Sequence, residues 1–328
     1  MSAPSSLWLS RFQAIHLRAL VIVLAMTVLL SGWVAQIEGL ALGILLAIGV
    51  AIFGVPHGAL DLTLVRGMGV ASRRHLAFVT GGYLLLALGV LISWSLAPVT
   101  TLAFFLIISV IHFGLGDTEA LRGAQRWLEV SARGGLPIAA PLAFHAEVTH
   151  DLFLMLTGPA TVAAIERLMA WALPLVGFWA VCLFLAVALR LYQSVQHKRE
   201  HIWAVGELIG LLCVFYLLHP LAAFLIYFCA AHSVRHLADL AAARHPLESG
   251  RAARWIGWES LPLSLATVLI ALGFALGMSP ATSPEATLVR VVFQGLAALT
   301  LPHMILTAIW HRLGEPRPGN LFTGTSGL

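Results

Sequence analysis

Residues 220–240 read PLAAFLIYFCAAHSVRHLADL. An apolar run of this length can cross a bilayer, since roughly 20 residues of helix span a hydrocarbon core of ~30 Å. Yet the run closes on His232 and His236, with Arg235 between them. Hydrocarbon is a poor solvent for imidazole and guanidinium, so these groups need partners inside the protein. A spacing of i, i+4 puts both imidazoles on one helical face. Two histidines so placed can grip one metal ion. The alternative is a pair of unrelated contacts to neighbouring helices.

The rest of the chain has the same character. Of its 328 residues 59% are hydrophobic and only 10% charged, with mean hydropathy +0.92. Globular domains carry about 25% charged residues. The composition therefore predicts an all-α, polytopic integral membrane bundle. Ten apolar stretches are candidate spans: 17–35, 38–60, 75–97, 99–116, 132–157, 163–190, 202–218, 220–241, 257–278 and 286–310. The fifth holds Pro137, Pro141, His145, Glu147, His150 and Asp151, so it is expected to be broken or partly re-entrant, and the count runs from eight to ten.

Basic residues test the count. With the amino terminus in the cytoplasm, every Arg and Lys except Arg167 and Arg290 falls on the cytoplasmic side, as the positive-inside bias requires. Both termini are then cytoplasmic. The reading is one membrane domain over 1–328, with cytoplasmic segments at 1–15 and 313–328. It sits as a multi-pass protein among the lipids of the cell inner membrane. The net charge of +4 lies in short Arg clusters between apolar runs and does not suggest nucleic acid. Cys182, Cys213 and Cys229 stand alone in apolar runs, which fits neither a disulfide framework nor a zinc–thiolate site.

Fourteen histidines is a high count. His16, His75, His197, His201, His245 and His311 lie in or beside polar loops, His219 precedes a turn, and His145 and His150 fall in the broken segment. The other five behave differently. His57 in GVPHGALDL, His112 in VIHFGLGD, the pair His232 and His236, and His303 in LPHMIL all lie late in even-numbered spans. Those spans run the same way across the membrane, so the five share a depth. One such histidine is a structural hydrogen bond more often than not. Five in one layer point to a site.

Carboxylates follow these histidines. Asp61 is four residues after His57, Asp239 three after His236, and Asp117 five after His112. The first two spacings let a carboxylate reach the neighbouring imidazole's second N–H and orient it toward a metal. Equally, the three acids can mark the membrane boundary and pair with arginines. Glu207 lies at the same depth as a further acceptor. An all-imidazole donor set suits iron, copper, zinc or nickel, and redox chemistry in apolar surroundings favours iron or copper. Phe53, Phe104, Phe105, Phe113, Phe224, Tyr227, Phe228 and Phe293 would line a site for a long hydrophobic substrate, or simply pack helices. Phe113, Tyr227 and Phe228 are the expected substrate contacts.

PHGALD, HFGLGD, AHSVRH and LPHMIL, in that order, resemble the motifs of the Brp/Blh family of bacterial and archaeal membrane proteins. These are β-carotene 15,15′-dioxygenases that supply retinal to microbial rhodopsins. The resemblance runs from about residue 50 to 310. It implies a non-haem Fe(II) centre, O2 as co-substrate, central cleavage of the carotenoid into two retinal molecules, and a hand-over of retinal to a rhodopsin. It implies His57, His112, His232 and His236 as iron ligands, with His303 as a ligand or a close neighbour of the metal. No catalytic group beyond the metal site is expected. The rival readings are a membrane metal transporter and a rhodopsin assembly partner without catalysis.

Overall fold

The computed structural model describes residues 7–67, 72–118, 121, 123–195, 200–245, 247–277 and 283–313. Of the sequence-expected terminal segments 1–15 and 313–328, residues 1–6 and 314–328 lie outside these residues, while 7–15 belong to the first helix. Among the described residues the fold is entirely helical, in agreement with the composition.

Twelve helices carry the architecture. They are α1 (Leu7–Leu29), α2 (Gly39–Ala59), α3 (Arg73–Leu96), α4 (Pro98–Asp117), α5 (Gly123–Phe144), α6 (Ala146–Thr157), α7 (Val162–Met169), α8 (Ala172–Val195), α9 (Glu200–Leu217), α10 (Pro220–Arg244), α11 (Ser249–Leu276) and α12 (Pro284–Leu313). Among the described residues eight are long and apolar enough to cross a membrane, or nine if the bent pair α6–α7 counts as one span. Their outer faces expose large apolar side chains such as Leu85, Phe184 and Ile270, as lipid contact demands. The chain is a multi-pass membrane protein.

The difference from ten lies in three places. The expected fifth span, 132–157, is not one element. Helix α5 runs through Pro137 and Pro141 without a break and stops at His145, where α6 begins. The expected sixth span, 163–190, is divided between α7 and α8, and α7 folds back on α6 by 118°. Helix α9 is apolar but falls just short of spanning length.

Prolines do not break α5 because its neighbours hold it. Glycines set that packing: a Cβ at Gly134 would strike the carbonyl oxygen of Val110, and one at Gly114 the carbonyl of Val130. The backbones of α4 and α5 therefore touch, the close approach that small residues allow between membrane helices. On the other side, the Trp179 indole N–H of α8 donates to the Ala132 carbonyl at 3.0 Å.

Two helices widen locally. Val50–Gly54 of α2 and Tyr227–Ser233 of α10 are π-helical. Such turns recur at functional sites. They face each other, for a Cβ on Gly54 would overlap the Phe228 ring, and one on Gly49 would meet Leu225 and Cys229. Each leads directly into a histidine of the shared layer.

Candidate metal centre

The five histidines expected at one depth converge. The His57 ring centre lies 4.0 Å from that of His236, 4.8 Å from His303, 5.5 Å from His232 and 5.8 Å from His112. Two triads offer ligand atoms all within 4.8 Å of one another: His57, His236 and His303, and His57, His112 and His232. His57 belongs to both. The pair four apart on α10 thus straddles His57, each member joining a different partner from another helix.

Carboxylates do back the imidazoles, but across helices rather than along them. Asp61 sits 2.6 Å from His303 Nδ1 and accepts a second bond from the Tyr83 hydroxyl at 3.0 Å. Asp117 sits 3.2 Å from His232 Nδ1 and accepts from the Tyr227 hydroxyl at 3.0 Å. A carboxylate only accepts, so in both pairs the proton belongs on Nδ1 and the Nε2 lone pair faces away. Nε2 of His232 and of His303, and Nδ1 of His57, are buried with no hydrogen-bond partner. Buried polar atoms are seldom left so. A donor set of neutral imidazoles with oriented, unused lone pairs fits a first-row metal ion.

Other expected site residues fall elsewhere. Asp239 accepts from Gln13 of α1 at 2.9 Å. Glu207 stands three links from the nearest imidazole, within a buried chain of alternating charge. Asp117 meets Arg235 at 3.3 Å, Arg235 bonds Glu207, Glu207 meets Arg133 at 3.0 Å, Arg133 meets Glu129 at 3.0 Å, and Glu129 bonds Arg190. Three acids offset three bases. This explains the arginine inside the histidine pair: Arg235 turns off the imidazole face to hold Asp117. Sequence reasoning missed Tyr83, Glu129, Arg133 and Arg190. An Arg four residues after a Glu in an otherwise apolar stretch was the one signal available. His16 was also set aside as a loop residue, whereas it lies in α1 and bonds the Ala230 carbonyl inside the second π-segment at 2.8 Å.

An apolar cleft opens beside the histidines, with about 1210 Å³ of empty space counting its open mouth. His57, His112 and His303 form one end of its wall. Leu102, Phe105 and Phe113 of α4, Pro137 and Pro141 of α5, Leu152 and Phe153 of α6, Leu221, Phe224 and Phe228 of α10, and Val289 and Phe293 of α12 continue it. Phe113 and Phe228, two of the expected substrate contacts, line this cleft. Tyr227 does not line the cleft. It is fully buried behind it, and its hydroxyl supports Asp117.

A sequence model of the family described as beta-carotene 15,15′-dioxygenase matches residues 48–311, a stretch that contains all five histidines and the cleft. The chain belongs to the β-carotene 15,15′-dioxygenase family. It is accordingly an oxygenase enzyme, as the motif resemblance implied. It is 33% identical over 261 residues to a beta-carotene 15,15′-dioxygenase of uncultured marine bacterium 66A03, covering 78% of this chain and 90% of that one. It is 30% identical over 289 residues to the probable beta-carotene 15,15′-dioxygenase Blh of Halobacterium salinarum, covering 80% of this chain and 82% of the relative. No solved structure matches it.

Proposed function

We propose that this enzyme cleaves β-carotene at its central double bond with O2, giving two molecules of retinal, at a non-haem Fe(II) held by His57, His112, His232 and His236. His303 is within reach as a further donor. The observation that carries the reading is the convergence of buried imidazoles, with unused lone pairs, at the end of an apolar cleft.

The iron, when bound, supplies O2 activation next to the polyene. The chain's own residues do the rest. Asp61 and Asp117 hold the Nδ1 protons of His303 and His232, so the Nε2 lone pairs stay aimed at the centre. The aromatic wall from Phe113 to Phe293 accepts one arm of the polyene and excludes water from the reacting bond. The cleft is about 15 Å deep along one wall: the ten residues from Leu102 to His112 of α4 rise roughly 15 Å. The bond that meets the centre is the one this depth selects.

In this reading the chain crosses the cell inner membrane ten times with both termini cytoplasmic, the charged α5 and the short α9 completing the count. Carotenoid enters from the lipid, and retinal leaves into it for a rhodopsin.

The test is direct. Detergent-purified protein, loaded with Fe(II) and given O2 and β-carotene, should yield retinal as the main product by chromatography. Longer aldehydes from off-centre cleavage would overturn the central assignment. A protein that binds no iron and turns over no carotenoid would overturn the enzyme mechanism itself.

Asp117→Asn keeps the shape of the carboxylate but leaves Arg235 with Glu207 alone, so it should also lower the melting temperature in detergent. Iron affinity should drop about 10- to 100-fold, the range for losing a partner that orients a ligand. Competition with a chelator would measure it, and unchanged affinity would remove Asp117 from the site.

A further inference from the structure

The cleft has a polar group at the end away from the histidines. Helix α6 turns Thr149, Leu152, Phe153 and Leu156 into it, a spacing of i, i+3, i+4 and i+7 that is one helical face. Thr149 is 3% exposed, and its hydroxyl oxygen is buried with no hydrogen-bond partner.

This is not how threonines behave elsewhere in the bundle. Thr27, Thr101, Thr157, Thr300 and Thr307 each donate to the carbonyl four residues before them. That back-bond is the ordinary way to satisfy a hydroxyl inside a helix. At Thr149 the helix itself is regular, since its N–H bonds the His145 carbonyl at 2.8 Å. The hydroxyl has forgone the back-bond. An unsatisfied buried hydroxyl is costly, and a valine of the same shape would carry no such cost.

Its position in the cleft is defined by its neighbours. His145, one turn before Thr149, bonds the Phe215 carbonyl near the end of α9 at 2.9 Å. Helix α10 starts close by at Pro220, and its twelve residues from there to His232 rise roughly 18 Å. Thr149 therefore lies at the far end, with the histidines at the other. The hydrocarbon arms of β-carotene carry nothing that could bond to it. A hydroxyl on the terminal ring of a carotenoid does. It sits at the tip of the arm, as far as the molecule extends from its central bond, and so lands at Thr149 when that bond lies at the histidines.

We propose that Thr149 is a specificity-determining residue whose hydroxyl binds the ring hydroxyl of a hydroxylated carotenoid, making such carotenoids substrates of this site. The inference rests on central cleavage at the histidine centre. The reaction keeps its balance: the central double bond breaks, each half takes one oxygen atom of O2 as an aldehyde, and the ring hydroxyl is carried unchanged into one product.

The test is a competition. Full-length iron-loaded protein receives equal amounts of β-carotene and β-cryptoxanthin, which has one plain and one hydroxylated ring, and the ratio of their kcat/KM values is read from depletion. Thr149→Val should lower the β-cryptoxanthin to β-carotene ratio about tenfold, because the ring hydroxyl then enters an apolar end without a partner. Thr149→Ser, which keeps the hydroxyl, should retain the ratio. A ratio unmoved by the valine, with β-carotene still cleaved, overturns this inference alone and leaves the Thr149 hydroxyl to a buried water. If the wild-type protein cleaves neither substrate, central cleavage falls and this inference with it.

Discussion

His57→Ala should empty the metal centre. It should lower iron affinity by more than the roughly 100-fold that follows loss of a supporting partner, and retinal formation should vanish with it. The other imidazoles each belong to one triad, whereas His57 belongs to both. Its removal leaves His112 and His232 on one side and His236 and His303 on the other, with the shared donor gone. His57 lines the open cleft with Gly54 and Gly58, so losing its ring enlarges a space already present and the helices have little reason to separate. Iron per chain, measured beside His75→Ala as a surface histidine control, gives the answer. Wild-type stoichiometry in His57→Ala would mean the five-histidine cluster does not hold the metal.

Glu207→Ala should cost the most stability. Glu207 is the middle acid of the six-membered chain and lies between Arg133 and Arg235. Removing it leaves the buried chain with an uncompensated positive charge, a change that costs about 3–5 kcal/mol. The variant should melt far earlier in detergent and lose monodispersity. A second variant separates charge from packing. Arg133→Met together with Glu207→Met divides the chain into two neutral pairs, Asp117 with Arg235 and Glu129 with Arg190. It should recover most of the loss, because apolar replacement of a complete buried pair is often neutral. A stable Glu207→Ala protein would show the chain to be dispensable.

Much of this was legible in the sequence because lipid makes polar residues informative. A histidine in an apolar run has few uses, so five at one depth marked the site before any geometry was known. The helical class and the motif order were equally plain. The failures have physical causes. The expected break of 132–157 occurs, but at His145 and not at Pro137 or Pro141, because helix packing against Val110 and Trp179 holds α5 through the prolines. Spacing along one helix suggested that Asp61 serves His57. It serves His303, more than two hundred residues away in sequence, a pairing that only tertiary packing creates. Tyr227 read as substrate wall because aromatic character says nothing about which way a ring faces. Thr149 carried no sequence signal at all, since a threonine that forgoes its back-bond looks like any other.

The paired π-turns before His57 and around His232 put an unusual constraint on the gene. A widened turn accommodates one residue more than an α-turn, so the angular phase of everything after it depends on residue number and not on residue identity. Loss of one codon within Val50–Gly54 would tighten the turn and rotate the rest of α2 by about 100°. His57 would swing out of both triads with every histidine still encoded. Side chains in these two segments can be exchanged within the limits of packing, but their length is fixed by the bearing of the histidines that follow.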